Sequence, residues 1–249
     1  MINIIVFKAS KYKNILIILF FFNSTLPIHL ILINYTMSLR INEIFYSIQG
    51  ESSLSGLPCI FIRLTYCNLR CTWCDTEYSF YEGKNMKIDQ ILTEIKKYNC
   101  KLVELTGGEP LLQKESINLM KSLISSGYKV MLETGGSLSV KQVPKEVVKI
   151  IDFKCPFSEM NKKNLWTILD DMQDHDEIKF VIGNREDYEW AKNKIKKYNL
   201  TKKWIVLFSC VFNELSYEKL AKWILDDALN VKFQVQMHKH IWDPNTIGV

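Results

Sequence analysis

From Met37 onward, short apolar runs alternate with stretches whose apolar residues recur at three- and four-residue spacing. That alternation restricts the chain to an α/β fold in which amphipathic helices cover a largely parallel sheet. Strands are expected over 60–64, 102–105, 129–132, 148–152, 178–182, 205–208 and 233–237, and helices over 88–98, 115–126, 188–198 and 217–229. With 249 residues, 47% of them apolar and 24% charged, the chain can bury one sizeable core and is too mixed in composition to stay disordered. No internal repeat or low-complexity linker interrupts it, so one domain is expected over 37–249.

Residues 1–36 stand apart, for they contain no Asp, Glu or Gly. Lys8, Lys11 and Lys13 ahead of the apolar run 15–22 imitate the start of a signal peptide, but no small-residue cleavage site follows. A membrane anchor needs about 20 uninterrupted apolar residues, and Asn23, Ser24, Thr25, Pro27 and His29 break the run. The favoured reading is an extension upstream of the true start, with translation beginning at Met37. Removing it takes away those three lysines and no acid, so most of the net charge of +5 disappears.

No stretch combines clustered Lys and Arg with the aromatic spacing of a nucleic-acid groove, so no polyanionic partner is expected. Seven cysteines, three of them within eight residues, fit a reduced cytoplasm and a metal site better than a secreted disulfide framework. A cytoplasmic chain without a membrane or nucleic-acid partner is the expectation.

Three expected strands run into polar or glycine-bearing ends: Thr106-Gly107-Gly108-Glu109, Glu133-Thr134-Gly135-Gly136 and Asp152-Phe153-Lys154. Ligands of such sheets sit at the carboxyl ends of the strands, so these ends should line one site. Just after strand 60–64, Cys67, Cys71 and Cys74 place three thiolates on a single loop, and thiolates suit iron–sulfur clusters or zinc. A structural zinc site or an ordinary four-iron cluster wants four protein ligands. No His lies between His29 and His175 to complete a local set, which leaves the fourth position open. An open iron can be chelated by the amino and carboxylate groups of S-adenosylmethionine, whose sulfonium is then placed for one-electron reductive cleavage to a 5′-deoxyadenosyl radical.

The Cys67-x3-Cys71-x2-Cys74 spacing and the downstream Gly107-Gly108-Glu109-Pro110 together resemble the radical S-adenosylmethionine superfamily. The resemblance implies that superfamily's partial, modified TIM-type barrel, with a [4Fe-4S] cluster and S-adenosylmethionine as cofactors. It also implies that Gly108 pairs with the methionyl amino group and that Trp73 borders the adenine. The wording Glu43-Ile44-Phe45-Tyr46-Ser47-Ile48-Gln49-Gly50-Glu51, Cys74-Asp75-Thr76 and Gln236-Met237-His238-Lys239-His240-Ile241-Trp242 is not demanded by cluster binding. It is similar to the 7-carboxy-7-deazaguanine synthase family, over essentially 37–249.

That second resemblance implies conversion of 6-carboxy-5,6,7,8-tetrahydropterin into 7-carboxy-7-deazaguanine, with ring contraction and loss of ammonia, on the route to queuosine and related deazapurines. Hydrogen is taken from C6 of the pterin and later returned, so S-adenosylmethionine is used catalytically, assisted by Mg2+. A homodimer and a flavodoxin- or ferredoxin-type reductant are implied as well. Carried over by motif, Ile48, Gln49 and Gly50 hold the pterin, Arg63 meets its carboxylate and Thr106 contacts it at a strand end. Thr76 lends its hydroxyl to Mg2+, a hard cation that prefers oxygen, while Asp152, Phe153 and Lys154 border the cofactor. This last triplet departs from the commonest family wording, in which Pro or Leu precedes the lysine.

Without the resemblance, several of these residues keep a plainer role. Arg63, alone in an apolar strand, could be a paired structural charge; Thr76 could cap a turn, and Gln49-Gly50 could simply form one. Gln234, Gln236, His238 and His240 alternate with other residues at the period of a strand with one polar face. That face could reach the substrate or only hydrogen-bond at the sheet end. Cys59 could be recruited as a fourth zinc ligand, although Pro58-Cys59-Ile60-Phe61 reads as the start of a buried strand, where free Cys behaves as a small hydrophobe. Cys100 and Cys210 read the same way. Two rival functions are an activase that installs a glycyl radical on a partner protein, many of which carry extra ferredoxin-like cysteine sets absent here, and a zinc-binding module without turnover.

Overall fold

The structure, a computed structural model, describes residues 3–8, 15–21, 29–34 and 38–249. Met1–Ser38 and Leu39–Val249 are separate compact units. In the first, β1 (Asn3–Lys8), β2 (Ile15–Phe21) and β3 (His29–Asn34) pair antiparallel in chain order. The apolar run that raised the anchor question is therefore a strand, and no described helix is long and apolar enough to cross a membrane. Lys11, Lys13, Pro27 and the expected start Met37 lie outside the described residues.

The second unit holds a nine-stranded sheet. Its strands are β4 (Ser38–Ile48), β5 (Pro58–Leu64), β6 (Lys84–Lys87), β7 (Leu102–Gly107), β8 (Lys129–Thr134), β9 (Val148–Asp152), β10 (Glu177–Ile182), β11 (Ile205–Cys210) and β12 (Lys232–Phe233), in the order β12-β11-β10-β9-β8-β7-β5-β4-β6. From β5 through β12 successive neighbours run parallel, and β4 lies antiparallel to β5. Helices α1 (Ile88–Ile95), α2 (Ser116–Ser125), α3 (Arg185–Tyr198) and α4 (Tyr217–Asp226) cross between strands, and a last turn, α5 (His238–Ile241), follows β12. No α-helix joins β8 to β9 or β9 to β10, where loops and 3-10 turns take its place. The repeat is thus a shortened and modified β/α barrel.

Curvature follows from contacts across the sheet. The Ser53 N–H, just beyond β4, donates to Glu177 on β10 at 3.0 Å, although β5, β7, β8 and β9 stand between those strands. In a flat sheet five strand spacings would separate them by about 24 Å. The sheet curls round until residues 49–57 plug its interior, while edges β12 and β6 stay apart, leaving the barrel open.

Pleat parity then sorts the side chains. Ile60, Ile62 and Leu64 on β5, Val103 and Leu105 on β7, Val130 and Leu132 on β8, and Ile178, Phe180 and Ile182 on β10 belong to one large core. They meet the apolar faces of the helices there: Ile91 and Ile95, Leu119 and Leu123, Tyr188 and Ile195, Leu220 and Ile224. Burying one such Ile or Leu contributes about 1.5–3 kcal/mol. The opposite parity faces inward. Low in the barrel it gives a small apolar cluster of Cys59, Phe61, Leu102, Met131 and Ile150; nearer the carboxyl ends it gives Arg63, Glu104, Thr106, Glu133, Asp152 and Lys179.

Six of the seven expected strands occur, five of them a residue or two longer. β4 and β6 were not anticipated. The expected strand 233–237 is corrected: β12 stops at Phe233, and the backbone leaves the sheet so that the Met237 N–H can bond the Gly50 carbonyl at 3.0 Å before α5 begins. His238 and His240 therefore stand on a helical turn, and the alternation of Gln234, Gln236, His238 and His240 is not that of a strand face.

Candidate active site

A cavity of about 730 Å³ opens where the parallel strands end. Cys67, Cys71 and Cys74 line it, on the loop that leaves β5. The loop is anchored from outside: Thr72 donates its N–H to the Ser158 carbonyl at 3.3 Å and its hydroxyl to the Phe157 carbonyl at 2.7 Å, and Arg70 reaches back to the Cys67 carbonyl at 2.9 Å. Burial raises the Cys67 thiol and pushes Cys71 up to about 11, so a thiolate here calls for positive charge beside it. Iron supplies that charge, and the donor set fits a thiolate-held cluster. Cys59 cannot join it. It is fully buried in the inner apolar cluster and does not reach the cavity. Among the described residues no three His, Cys, Asp or Glu side chains form a single-ion site. Cys155 is also wholly buried, and Cys210 touches the far wall.

The Gly107–Pro110 turn is packed directly on this loop. Gly107 has φ +153°, and a Cβ there would lie 2.3 Å from the Leu64 carbonyl oxygen. A Cβ on Gly108 would lie 2.4 Å from the Tyr66 carbonyl oxygen and 2.7 Å from Cys67 Cβ. Only glycine allows that approach. Glu109 pins the turn from the other side: its fully buried carboxylate accepts from the Leu111 N–H at 3.0 Å, the Thr134 hydroxyl at 2.8 Å and the Gly135 N–H at 2.9 Å. The ends of β5, β7 and β8 are thereby one rigid piece.

Beside it, Lys154 Nζ bonds Asp152 Oδ2 at 2.7 Å and lies 5.3 Å from the Trp73 ring centre. Burial opposes the Lys154 charge, but Asp152 more than offsets it and raises the ammonium above its ordinary range. Asp152 Oδ1 and Trp73 Nε1 are buried with no partner among the described residues. Such orphaned polar atoms are costly unless a ligand satisfies them, and an acceptor next to an indole fits a cofactor bearing amino and hydroxyl groups. The Phe153 ring is fully buried and stacks on Trp166 at 4.3 Å, so it packs the core, and what Phe153 can offer the cavity is its backbone.

Arg63 is a paired charge at the border of the cavity. Its Nε donates to Glu43 Oε1 at 2.7 Å, and the Tyr78 hydroxyl joins the same oxygen at 2.9 Å. No described residue bonds its two terminal nitrogens, and the side chain borders the cavity. Thr106 sits beside it in register on β7. Thr76 starts a short 3-10 helix, Glu77–Phe80, yet its hydroxyl makes no cap; it lies 3.7 Å from Cys74 Sγ at the cavity edge. Ile48 and Gly50 also line the cavity, and a Cβ on Gly50 would lie 2.4 Å from His238 Nδ1. Gln49 lines the cavity as well, and its side chain also shapes the loop: its amide oxygen accepts the Glu51 N–H at 3.0 Å and its amide nitrogen bonds Glu104.

Four charged residues, Glu51, Glu104, Glu133 and Lys179, make up the floor; sequence reasoning places Glu133 at a strand end and Glu51 within a motif, and misses Glu104 and Lys179. Lys179 bonds Glu51 and, at 2.8 Å, Glu133. Burial would raise Glu51, but Lys179 brings it below its ordinary value. Glu104 has no ammonium in contact, and burial together with the Glu133 charge pushes it up to about 8. The available signal was a charged residue inside an otherwise apolar strand: Glu104 and Lys179.

Comparison with known proteins agrees with this geometry. A family model described as the radical SAM superfamily matches residues 61–225. Proteins named 7-carboxy-7-deazaguanine synthase from Koribacter versatilis and Chlorobaculum tepidum are 46% and 42% identical, each alignment covering 85% of this chain and 100% and 97% of the relative. The crystal structure of QueE from Escherichia coli, at 23% identity, superposes with a TM-score of 0.69 over 81% of this chain and 95% of that one, which shows the shared fold. Cysteine loop, glycine turn and barrel, taken with these relatives, place the chain in the 7-carboxy-7-deazaguanine synthase family of the radical S-adenosylmethionine superfamily.

Proposed function

We propose that the cavity converts 6-carboxy-5,6,7,8-tetrahydropterin into 7-carboxy-7-deazaguanine with loss of ammonia. The observation that carries this reading is the joining of two residue sets in one cavity. The cysteine loop with its glycine turn is the first set, and Ile48, Gln49, Gly50, Arg63 and Thr106 are the second.

Cys67, Cys71 and Cys74 would hold a [4Fe-4S] cluster, and the Gly108 turn, Asp152, Lys154 and Trp73 would border S-adenosylmethionine. When bound, these groups supply a one-electron reductive cleavage that yields a carbon radical able to take a hydrogen atom from the pterin. The chain's own residues position the substrate. The free fork of Arg63 is shaped to take a carboxylate by two parallel hydrogen bonds. Thr76 offers a neutral hydroxyl oxygen to Mg2+, which suits a hard cation that keeps several other ligands. At the floor, Glu104 holds its proton at neutral pH and presents a donor, whereas Glu51 and Glu133 are both engaged by Lys179.

A flavodoxin- or ferredoxin-type donor would supply the electron, since Cys59, Cys100, Cys155 and Cys210 lie outside the three-cysteine loop and Cys59 belongs to the core. Seven free cysteines support a reduced, cytoplasmic setting. The homodimer rests on the family resemblance. To test the reaction, substrate deuterated at C6 is turned over anaerobically and both product and recovered S-adenosylmethionine are weighed by mass spectrometry. The carboxyl-bearing carbon keeps no hydrogen in the aromatic product, so the label is read in the cofactor: deuterium in recovered S-adenosylmethionine, with many products per S-adenosylmethionine consumed, is expected. Recovered S-adenosylmethionine free of deuterium, or one 5′-deoxyadenosine released per product, would overturn the hydrogen-return mechanism.

A further inference from the structure

Four consecutive residues of the C-terminal segment each touch a loop of the cavity rim. Gln236 Nε2 donates to Glu51 Oε1 at 2.8 Å, the Met237 N–H donates to the Gly50 carbonyl at 3.0 Å, and the His238 ring fills the place of a Gly50 side chain. These three hold the loop after β4. Lys239 reaches elsewhere: its Nζ bonds Asp75 Oδ2 at 2.8 Å, on the cluster loop, at the residue between Cys74 and Thr76.

Lys239 is buried beyond what its position requires. Its helix neighbours His240 and Ile241 are exposed, yet its own side chain is only 8% exposed, with the ammonium 5.0 Å from the centre of the Phe212 ring. A surface lysine would keep that ammonium in water and gain little from an exposed pair. Asp75 is 48% exposed and has no other side-chain hydrogen bond among the described residues. Around Thr76, its hydroxyl meets Cys74 Sγ at 3.7 Å and its carbonyl accepts the Ser79 hydroxyl at 2.7 Å, both within the loop; among the described residues the Asp75–Lys239 pair is the side-chain tie that joins this stretch to the C-terminal segment.

We propose that Lys239 is a positioning residue that fastens Asp75, and with it the backbone carrying the Thr76 hydroxyl, to the C-terminal segment. The pterin-holding loop and the cation-holding loop are thereby kept in fixed relation. The inference rests on the reading of Thr76 as a Mg2+ ligand, and its test includes a readout that needs no turnover.

Lys239→Met, Asp75→Asn, their combination and Lys239→Arg are compared as cluster-loaded full-length enzyme. In Lys239→Met the Mg2+ concentration for half-maximal rate and the pterin KM should each rise about tenfold, the scale of one lost charge-assisted hydrogen bond. The kcat at saturation should change less than KM, and iron content should stay the same. Lys239→Arg should restore most of the loss, and the double variant should be no worse than the poorer single one, because both remove the same bond. Amide hydrogen exchange across residues 74–77, measured without substrate, should be faster in Lys239→Met than in the parent. Unchanged exchange there, unchanged Mg2+ dependence, or additive losses in the double variant would each overturn the proposal. An inactive parent enzyme would sink the functional reading alone, since the exchange comparison still decides whether the tie exists. Should Lys239→Met fail to fold, Asp75→Asn against the parent gives the same decision.

Discussion

Arg63 is held by the fold at one nitrogen and borders the cavity with the rest of its guanidinium. Glu43 takes its Nε and fixes the plane of the guanidinium, and the remaining fork faces the cavity. A lysine would keep the charge and lose the fork. Arg63→Lys should therefore raise the pterin KM by about tenfold or more, with 5′-deoxyadenosine formation in the absence of pterin left intact. An unchanged KM would return Arg63 to a purely structural role. Glu104 makes a different prediction. Its carboxyl titrates near 4.5 in the unfolded chain and near 8 in the fold, so the folded state keeps a proton that the unfolded chain releases. That contribution to stability is complete below the lower value and fades as pH rises through the upper one. Glu104→Gln removes the dependence, so its melting temperature relative to the parent should climb between about pH 5 and pH 8. A gap that stays constant with pH would contradict the protonated floor.

Among elements, the turn after β7 is the joint on which the site depends. Each Glu109 oxygen accepts a backbone N–H, from Leu111 and from Gly135. In Glu109→Gln, whichever way the amide points, an N–H must face an N–H. The variant should lose about 2 kcal/mol in urea unfolding of the cluster-free protein, and stability equal to the parent would show that the clamp carries no weight. How legible each element was follows from its residues. β5, β7, β8, β9, β10 and β11 are short runs rich in Ile, Val, Leu and Phe, the mark of strands covered by helices, and they could be read directly. β4 could not. Its Asn42, Glu43 and Ser47 interrupt the apolar pattern because the strand lies near the sheet edge and most of its residues are only half-buried. The C-terminal alternation misled because its polar residues are spent on Glu51, Gly50 and Asp75, contacts that exist only after the chain has closed on itself. The same holds at the site. The cysteines and glycines were visible as spacing, while the Lys179 network joins residues as far as 128 positions apart in the chain.

For the whole molecule, Leu39–Val249 is a compact unit with its own core and the cavity. A chain begun at Met37 should accordingly fold with the parent's unfolding midpoint and full cluster content. Loss of soluble protein or of iron on removing residues 1–36 would show that the leader is part of the working enzyme. Intact mass of the native protein would then decide the start itself. The central claim is that this barrel, with its three-cysteine loop and its Arg63 and Glu104 wall, rearranges a carboxylated pterin. The most direct measurement is anaerobic incubation of reconstituted protein with 6-carboxytetrahydropterin, S-adenosylmethionine, Mg2+ and dithionite, followed by mass spectrometry. Formation of 7-carboxy-7-deazaguanine is predicted; an intact, reducible cluster that gives neither this product nor 5′-deoxyadenosine would contradict it.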